Sequence, residues 1–286
     1  MNATILRFDK VGRRDVYNPA VLNIEGELLL AGRVESRVNA VDSTIVFFRE
    51  DADGVFVPVS GAPVFPLEDP SLTRIGNKIV LGGTEVDWDR DDVSQFISYR
   101  MQFFIGETLE TLIPFMTGPE GMKDIRLLEL PDGRIAVFTR PKGGEYGSGK
   151  IGITILKTLD EFSAPALQHS HILDGVAPSG MWCGTNAAYL LEDGRIGVLA
   201  HRAYRDESGF HYEAGTFKVD PDSLDYTPFR TIVTRDDFPP TAAKREELID
   251  VVFPGGLVKR DLQRWTLYAG LSDTNTGRLD LNDPFS

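Results

Sequence analysis

The sequence predicts an all-β fold, a five-bladed β-propeller that forms a single domain over residues 1–286. Three observations carry that prediction: one grammar recurs five times along the chain, glycine turns join short apolar runs, and helix signals are scarce. Each unit opens on Asp or Asn, runs through apolar residues to a turn and continues into a second apolar run. The openings are Asn18, Asp69, Asp124, Asn186 and Asp250, at intervals of 51, 55, 62 and 64 residues. A four-stranded blade takes about 40–50 residues plus insertions, so five blades suit a chain of 286.

The first unit pairs residues 18–22 with 28–33 across Glu25-Gly26, and the second pairs 69–72 with 79–83 across Gly76-Asn77. The third pairs 124–128 with 135–140 across Asp132-Gly133, and the fourth pairs 186–190 with 196–202 across Asp193-Gly194. Such dipeptides between apolar runs are hairpin signals, because a turn with φ > 0 matches the twist of the flanking strands. The fifth unit is looser: residues 250–253, a Gly255-Gly256 pair, then 265–270. Runs at 44–48, 99–104, 151–156 and 215–219 supply further strands. Only residues 242–248, after Pro239-Pro240, have helical composition.

Composition narrows the function. With 28 glycines and 17 prolines the chain is turn-dense, and 42% hydrophobic and 26% charged residues are ordinary for a folded soluble chain. No run reaches the ~18 apolar residues of a membrane span, and the first residues lack the pattern of a secretory signal. A lone cysteine, Cys183, has no internal partner, which fits a cytoplasmic location. The net charge of −13 argues against nucleic acid or an anionic membrane as partner.

In a propeller, equivalent positions of every inner strand converge on the axis. The openings would therefore bring Asn18, Asp69, Asp124, Asn186 and Asp250 together, unless each merely closes an Asx-turn. The second strands would add Arg33, Thr84, Arg140, His201 and Arg202. Lys123 and Arg126 flank Asp124, while Lys244 and Arg245 precede Asp250. Carboxylates beside such cations suit acid-assisted glycosidic cleavage. Water as nucleophile needs a second carboxylate as base, whereas phosphate needs only Arg, Lys or His to hold it. Tyr17, Trp182, Tyr189 and Phe253 are candidate sugar platforms.

Three other features carry little chemistry. The Gly-rich stretch 143–150 lacks a Gly-Lys-Ser/Thr ending and reads as a mobile loop over the channel mouth. His169 and His171 have no ligand partners at metal spacing, so no metal is expected. The acidic run 85–92 reads as a solvated loop or a partner contact.

Several segments resemble the glycosidase-like five-bladed propellers related to glycoside hydrolase family 130. They are Val16-Tyr17-Asn18-Pro19-Ala20, Leu67-Glu68-Asp69-Pro70, Gly121-Met122-Lys123-Asp124-Ile125-Arg126 and Val137-Phe138-Thr139-Arg140-Pro141, followed by Trp182-Cys183-Gly184-Thr185-Asn186, Gly197-Val198-Leu199-Ala200-His201, Lys244-Arg245 and residues 268–273. The resemblance spans nearly the whole chain, in order. It implies an inverting β-mannoside phosphorylase or β-mannosidase acting on a short oligosaccharide, without a cofactor, with inorganic phosphate as co-substrate in the phosphorylase case, and a homodimer. Asp69 would be the general acid, its proton passing through a sugar hydroxyl in enzymes of the phosphorylase type. Arg33, Arg140 and His201 would contact phosphate or sugar, with Asn18, Lys123 and Asp124 beside them; Arg126, Asn186 and Arg202 of the charged ring are further candidate contacts, and Asp124 or Asp250 would be the base if water attacks. The family's Glu-Asp-Pro-Arg reads Glu68-Asp69-Pro70-Ser71 here, so the phosphate geometry departs from the pattern. Two other classes fit the same residues, a non-catalytic sugar-binding propeller and a protein-interaction propeller.

Overall fold

Five antiparallel sheets radiate from one axis in a computed structural model that describes residues 3–24, 26–89 and 95–286. Blade one runs outward through Arg14–Ile24, Glu27–Ser36, Asn39–Glu50 and Val55–Pro58. Blade two comprises Glu68–Ile75, Lys78–Trp88, Phe96–Gly106 and Ile113–Thr117. Blade three comprises Arg126–Glu129, Ile135–Thr139, Gly152–Leu156 and His171–Ile172. Blade four comprises Trp182–Leu190, Ile196–Asp206, Gly209–Val219 and Arg230–Val233. Blade five has Val252–Lys259, Arg264–Leu271 and Asn275–Asn282, and takes its outer strand, Ala3–Ile5, from the other end of the sequence. Arg7–Phe8 then pairs parallel with Val55–Pro58, tying blade five to blade one. The five-bladed propeller is thus the observed fold, and the four runs predicted as further strands are the third strands of blades one to four.

The first strands touch in a closed circuit, each against those of the two neighbouring blades. Five apolar wedges fill the gaps between blades. Leu29, Phe47, Leu67 and Leu81 pack between blades one and two, Val80, Phe103, Ile125 and Val137 between two and three. Phe138, Ile153, Val198 and Phe217 fill the next gap, and Leu199, Val252, Leu267 and Leu279 the one after. Val16, Leu30, Val258 and Tyr268 close the ring. Both faces of each sheet are therefore covered. That explains why the second strands read as nearly continuous apolar runs rather than alternating ones.

Two sequence expectations change. Gly255-Gly256 is no turn but part of blade five's inner strand, where the register slips between Pro254 and Gly256. A Cβ on Gly255 would fall 2.0 Å from the carbonyl oxygen of Pro19, so glycine is required by the approach of blade one. The fifth hairpin turns instead at residues 260–263, where Asp261 accepts from the amides of Gln263 and Arg264. Residues 242–248 make only the 3-10 turn Glu246–Leu248, because the Lys244 amide is drawn away to the Ser272 carbonyl at 3.0 Å. No helix of the described residues is long and apolar enough to cross a membrane.

Candidate active site

A backbone device lies behind the recurring Asp and Asn. Asn18, Asp69 and Asp124 occupy the left-handed region, with φ of 45°, 46° and 59°. Among non-glycine residues Asn and Asp tolerate that region best. In an ordinary strand consecutive side chains point to opposite faces. The register slips at Tyr17/Ala20 and Glu68/Ser71 break that alternation. Glu68 and Asp69 can then serve the same guanidinium although they are neighbours in sequence. Asn186 also sits in a slip, between Thr185 and Ala187, without a positive φ.

Two charge clusters result. In the first, Asp69 Oδ1 accepts from Asn18 Nδ2 at 2.9 Å and from Arg33 Nη1 at 3.2 Å. The same Arg33 Nη1 lies 3.0 Å from Glu68 Oε2. The other side of the guanidinium meets Glu35 Oε2, at 2.9 Å from Nε and 2.5 Å from Nη2, and Nε also donates to Ser43 Oγ. Lys244 pairs with the second oxygen of Glu35. Arg33 also lies over the buried Tyr17 ring, 5.1 Å from its centroid.

In the second cluster Arg140 Nη1 donates to Asp124 Oδ2 at 2.7 Å, with Arg126 Nη2 3.8 Å from Asp124 Oδ1. His201 Nε2 lies 4.0 Å from Asp124 Oδ2, and its Nδ1 is 2.9 Å from Asn186 Oδ1. Tyr212 and Phe253 pack on the imidazole. Gly184 completes the packing: a Cβ there would fall 2.6 Å from both Asp124 Oδ2 and His201 Cε1.

Burial and charge oppose each other throughout. Burial pushes Asp69 upward, but Arg33, Lys123 and the Asn18 amide outweigh it and hold the carboxyl below its ordinary value. Asp124 is likewise pushed up by burial and pulled further down by Arg140, Lys123 and Arg126. For Glu68 and Asp273 burial wins, so both carboxyls are raised. Burial also lowers His201 to about 3, against the pull of Asp124, which leaves it neutral. Lys123 stays charged: Asp69 and Asp124 overcome its desolvation. Its ammonium makes no hydrogen bond or ion pair among the described residues.

Lys123 opens into a pocket of about 300 Å³ with Arg33, Glu68, Lys244, Arg245 and Asp273. Its outer wall is aromatic, built from Trp88, Phe96 and Tyr99 of blade two. The structure therefore brings together Asn18, Arg33, Asp69, Lys123, Asp124, Arg126, Arg140, Asn186 and His201. Two candidates fall outside. Asp250 precedes the inner strand of blade five, out of phase with the other openings, and pairs with His211 Nδ1 at 2.6 Å; its side chain is 44% exposed. Arg202 points to the other face of its strand from His201 and is taken up by Glu213 at 2.5 Å, over the Phe229 ring. Ser71, where the family pattern has arginine, lines an apolar cavity near the axis with Arg126 and Asn186.

Sequence reasoning missed Glu35, Asp273 and the Trp88–Tyr99 wall. Glu35 was legible, since it stands two residues from Arg33 on the same strand face. Asp273 was not, because it sits on a turn after blade five's second strand with φ of 54°. The proposed platform Tyr189 is instead packed, partly buried, against the wedge between blades four and five, where its hydroxyl accepts from the Leu257 amide at 2.6 Å. Tyr146 and its glycine-rich loop form a short 3-10 turn, and Arg140 Nη2 donates to the Ser148 carbonyl at 3.3 Å. In the acidic run, Glu85 pairs with Arg100 at 3.0 Å, and residues 90–92 lie outside the described residues.

A closed ring of five blades with buried acid–base clusters at its centre defines a glycosidase-like propeller. The chain itself belongs to the family described as Protein of unknown function (DUF1861), matched over residues 1–286. Among solved structures it is similar to MPT-4, a mannose phosphorylase from Leishmania mexicana in complex with phosphate ion, with 35% identity and a TM-score of 0.91 over 99% of this chain and 89% of that one. It is also similar to MPT-1, a GDP-Man-dependent mannosyltransferase from Leishmania mexicana, with 31% identity and a TM-score of 0.90 over 100% and 90% of the two chains. A structure from work on the GH130 family of mannoside phosphorylases shares 18% identity with a TM-score of 0.60 over 94% and 85%, a likeness of fold. Among curated proteins none matches. The likeness to glycoside hydrolase family 130 expected from the sequence holds for the fold, and the chain is glycoside phosphorylase-like.

Proposed function

We propose that this protein is a mannoside-processing enzyme of the cytoplasm that cleaves a short β-mannoside by phosphorolysis with inversion. One observation carries the reading: the ammonium of Lys123, unpartnered among the described residues, faces a pocket that Arg33, Lys244 and Arg245 also line. A buried ammonium without a direct ion pair, beside three further cations on one pocket wall, suits an anionic ligand. The likeness to a mannose phosphorylase complexed with phosphate supports inorganic phosphate as that anion.

In this reading a phosphate oxygen attacks the anomeric carbon while the glycosidic C–O bond breaks. Asp69 supplies the proton to the leaving oxygen through a sugar hydroxyl, and the products are a sugar 1-phosphate of inverted configuration and a shortened acceptor. Asp69 is held ionised by Arg33 and Lys123. A phosphate between those cations offsets their field, so the carboxyl regains a proton only when the co-substrate is bound. Trp88, Phe96 and Tyr99 offer the acceptor sugar an apolar wall. Hydrolysis fits less well: Asp124 is committed to Arg140, and Asp250 lies outside the pocket.

Calorimetric titration with inorganic phosphate tests the reading. The wild type should bind, and Lys123→Ala should weaken binding by about ten-fold, the effect of one lost charge-assisted contact. A wild type that ignores phosphate contradicts it.

A further inference from the structure

The connection between blades four and five, residues 234–251, brings Lys244 and Arg245 to the pocket wall. Beside it stands the blade-four hairpin formed by Ile196–Asp206 and Gly209–Val219. Several contacts join the two. His211 Nδ1 lies 2.6 Å from Asp250 Oδ2, and the Tyr212 amide donates to the Asp250 carbonyl at 3.1 Å. Arg205 Nη2 lies 3.7 Å from Glu247 Oε2. Gly209 sits so close that a Cβ would fall 2.4 Å from the Glu247 carbonyl oxygen. The second ring nitrogen of His211, Nε2, is 3.0 Å from Asp206 Oδ1 and 3.0 Å from Ser208 Oγ. Tyr204 stacks on the imidazole with centroids 4.5 Å apart.

An imidazole between two carboxylates can donate from both nitrogens only as the imidazolium; the neutral ring turns a lone pair toward one of them. Around His211, the hairpin supplies Asp206 and Tyr204 and the connection supplies Asp250, while Arg205 and Arg245 pair with Glu247 of the connection. Arg235 faces Asp250 from the start of the connection. The hydrogen bond to Asp250 above all, and that to Asp206, raise His211 above its ordinary value against its partial burial.

We propose that His211 is a positioning residue: its imidazolium clamps the connection to the blade-four hairpin and so holds Lys244 and Arg245 at the pocket, and anion affinity falls when the clamp is deprotonated. The proposal rests on the pocket being an anion site, although His211 does not line it. The sign follows from the geometry. A group whose pKa is raised by its partners gives its stabilisation below that pKa and loses it as the pH rises through it.

Inorganic sulfate is the suitable probe, because unlike phosphate it stays a dianion from about pH 5.5 to about pH 8.5, the span in which histidine titrates. Its dissociation constant for the full chain should rise about two- to five-fold across that span, the range of a partly exposed ion pair. His211→Gln should bind with the weaker, high-pH affinity and lose this step, while titration of the pocket's own groups appears in both proteins and cancels. Asp206→Asn should move the midpoint to lower pH. Parallel profiles for wild type and His211→Gln overturn the clamp. Should sulfate fail to bind either protein, the anion reading falls, and amide hydrogen exchange at residues 248–251 decides the clamp: protection lost in His211→Gln upholds it, and unchanged protection overturns it.

Discussion

Asn18 Nδ2 donates to Asp69 Oδ1 across 2.9 Å, joining two residues 51 apart that hold the same left-handed backbone position in successive blades. The repeat therefore does two things with one residue type. It lets consecutive side chains face the axis, and it supplies the amide that helps keep the neighbouring carboxylate ionised.

Asp69→Asn tests the assignment of the acid. Asn tolerates the left-handed backbone, so the melting temperature should stay within a few degrees. Turnover should fall by about 10²–10⁴-fold, the usual contribution of a general acid. Glu68→Gln, which removes a neighbouring carboxyl raised by burial, should cost far less. Steady-state kinetics showing the reverse order would move the role of acid to Glu68.

Asp124 is structural in its energetics whatever else it does. Asp124→Asn leaves Arg140 and Arg126 buried beside a neutral amide, and chemical denaturation should show a loss of about 3–5 kcal/mol. The sign with pH is set by its depressed pKa: the stabilisation is present above the ordinary carboxylate range and is lost as acid approaches the folded value. Wild-type stability should therefore drop steeply in acid, and the variant's curve should be shallower there. Superimposable acid limbs would contradict the ion-pair account.

Gly184→Ala should damage the site more than the fold. The added Cβ meets Asp124 Oδ2 and His201 Cε1 at 2.6 Å, and one of them must move. The expected result is a loss of kcat by about ten-fold or more with about 1–3 kcal/mol of destabilisation from overpacking. Unchanged kinetics would mean that the Asp124–His201 spacing is not critical.

Trp88→Ala removes part of the aromatic wall without touching the charged half of the pocket. KM for the glycoside should rise by about ten-fold, the value of one or two kcal/mol of apolar contact, with phosphate affinity unchanged. A change in phosphate affinity alone would place the sugar elsewhere.

Much of this was legible in the sequence because the propeller repeats its own grammar. Asp132-Gly133 and Asp193-Gly194 announce their hairpins directly, with glycine φ of 85° and 82°. The inner-strand openings at 18, 69, 124 and 186 mark the axis, and at the first three Asn and Asp suit the left-handed backbone there. The fifth opening misled. At the axis blade five needs Gly255, for want of space beside Pro19, so Asp250 was matched to a phase it does not occupy. Asp273 and the wall of Trp88 and Tyr99 come from a turn and from long hairpin ends. Their convergence depends on the closing of the ring, which no local pattern records.

The most direct test of the central claim is a ³¹P NMR time course of the protein with a β-linked mannobiose and inorganic phosphate, with a parallel arm containing GDP-mannose and an acceptor. The account expects phosphate to be consumed and an α-mannose 1-phosphate resonance to grow in step with free mannose, and no sugar to be released when phosphate is omitted. Release of mannose without phosphate, or transfer only from GDP-mannose, would contradict it.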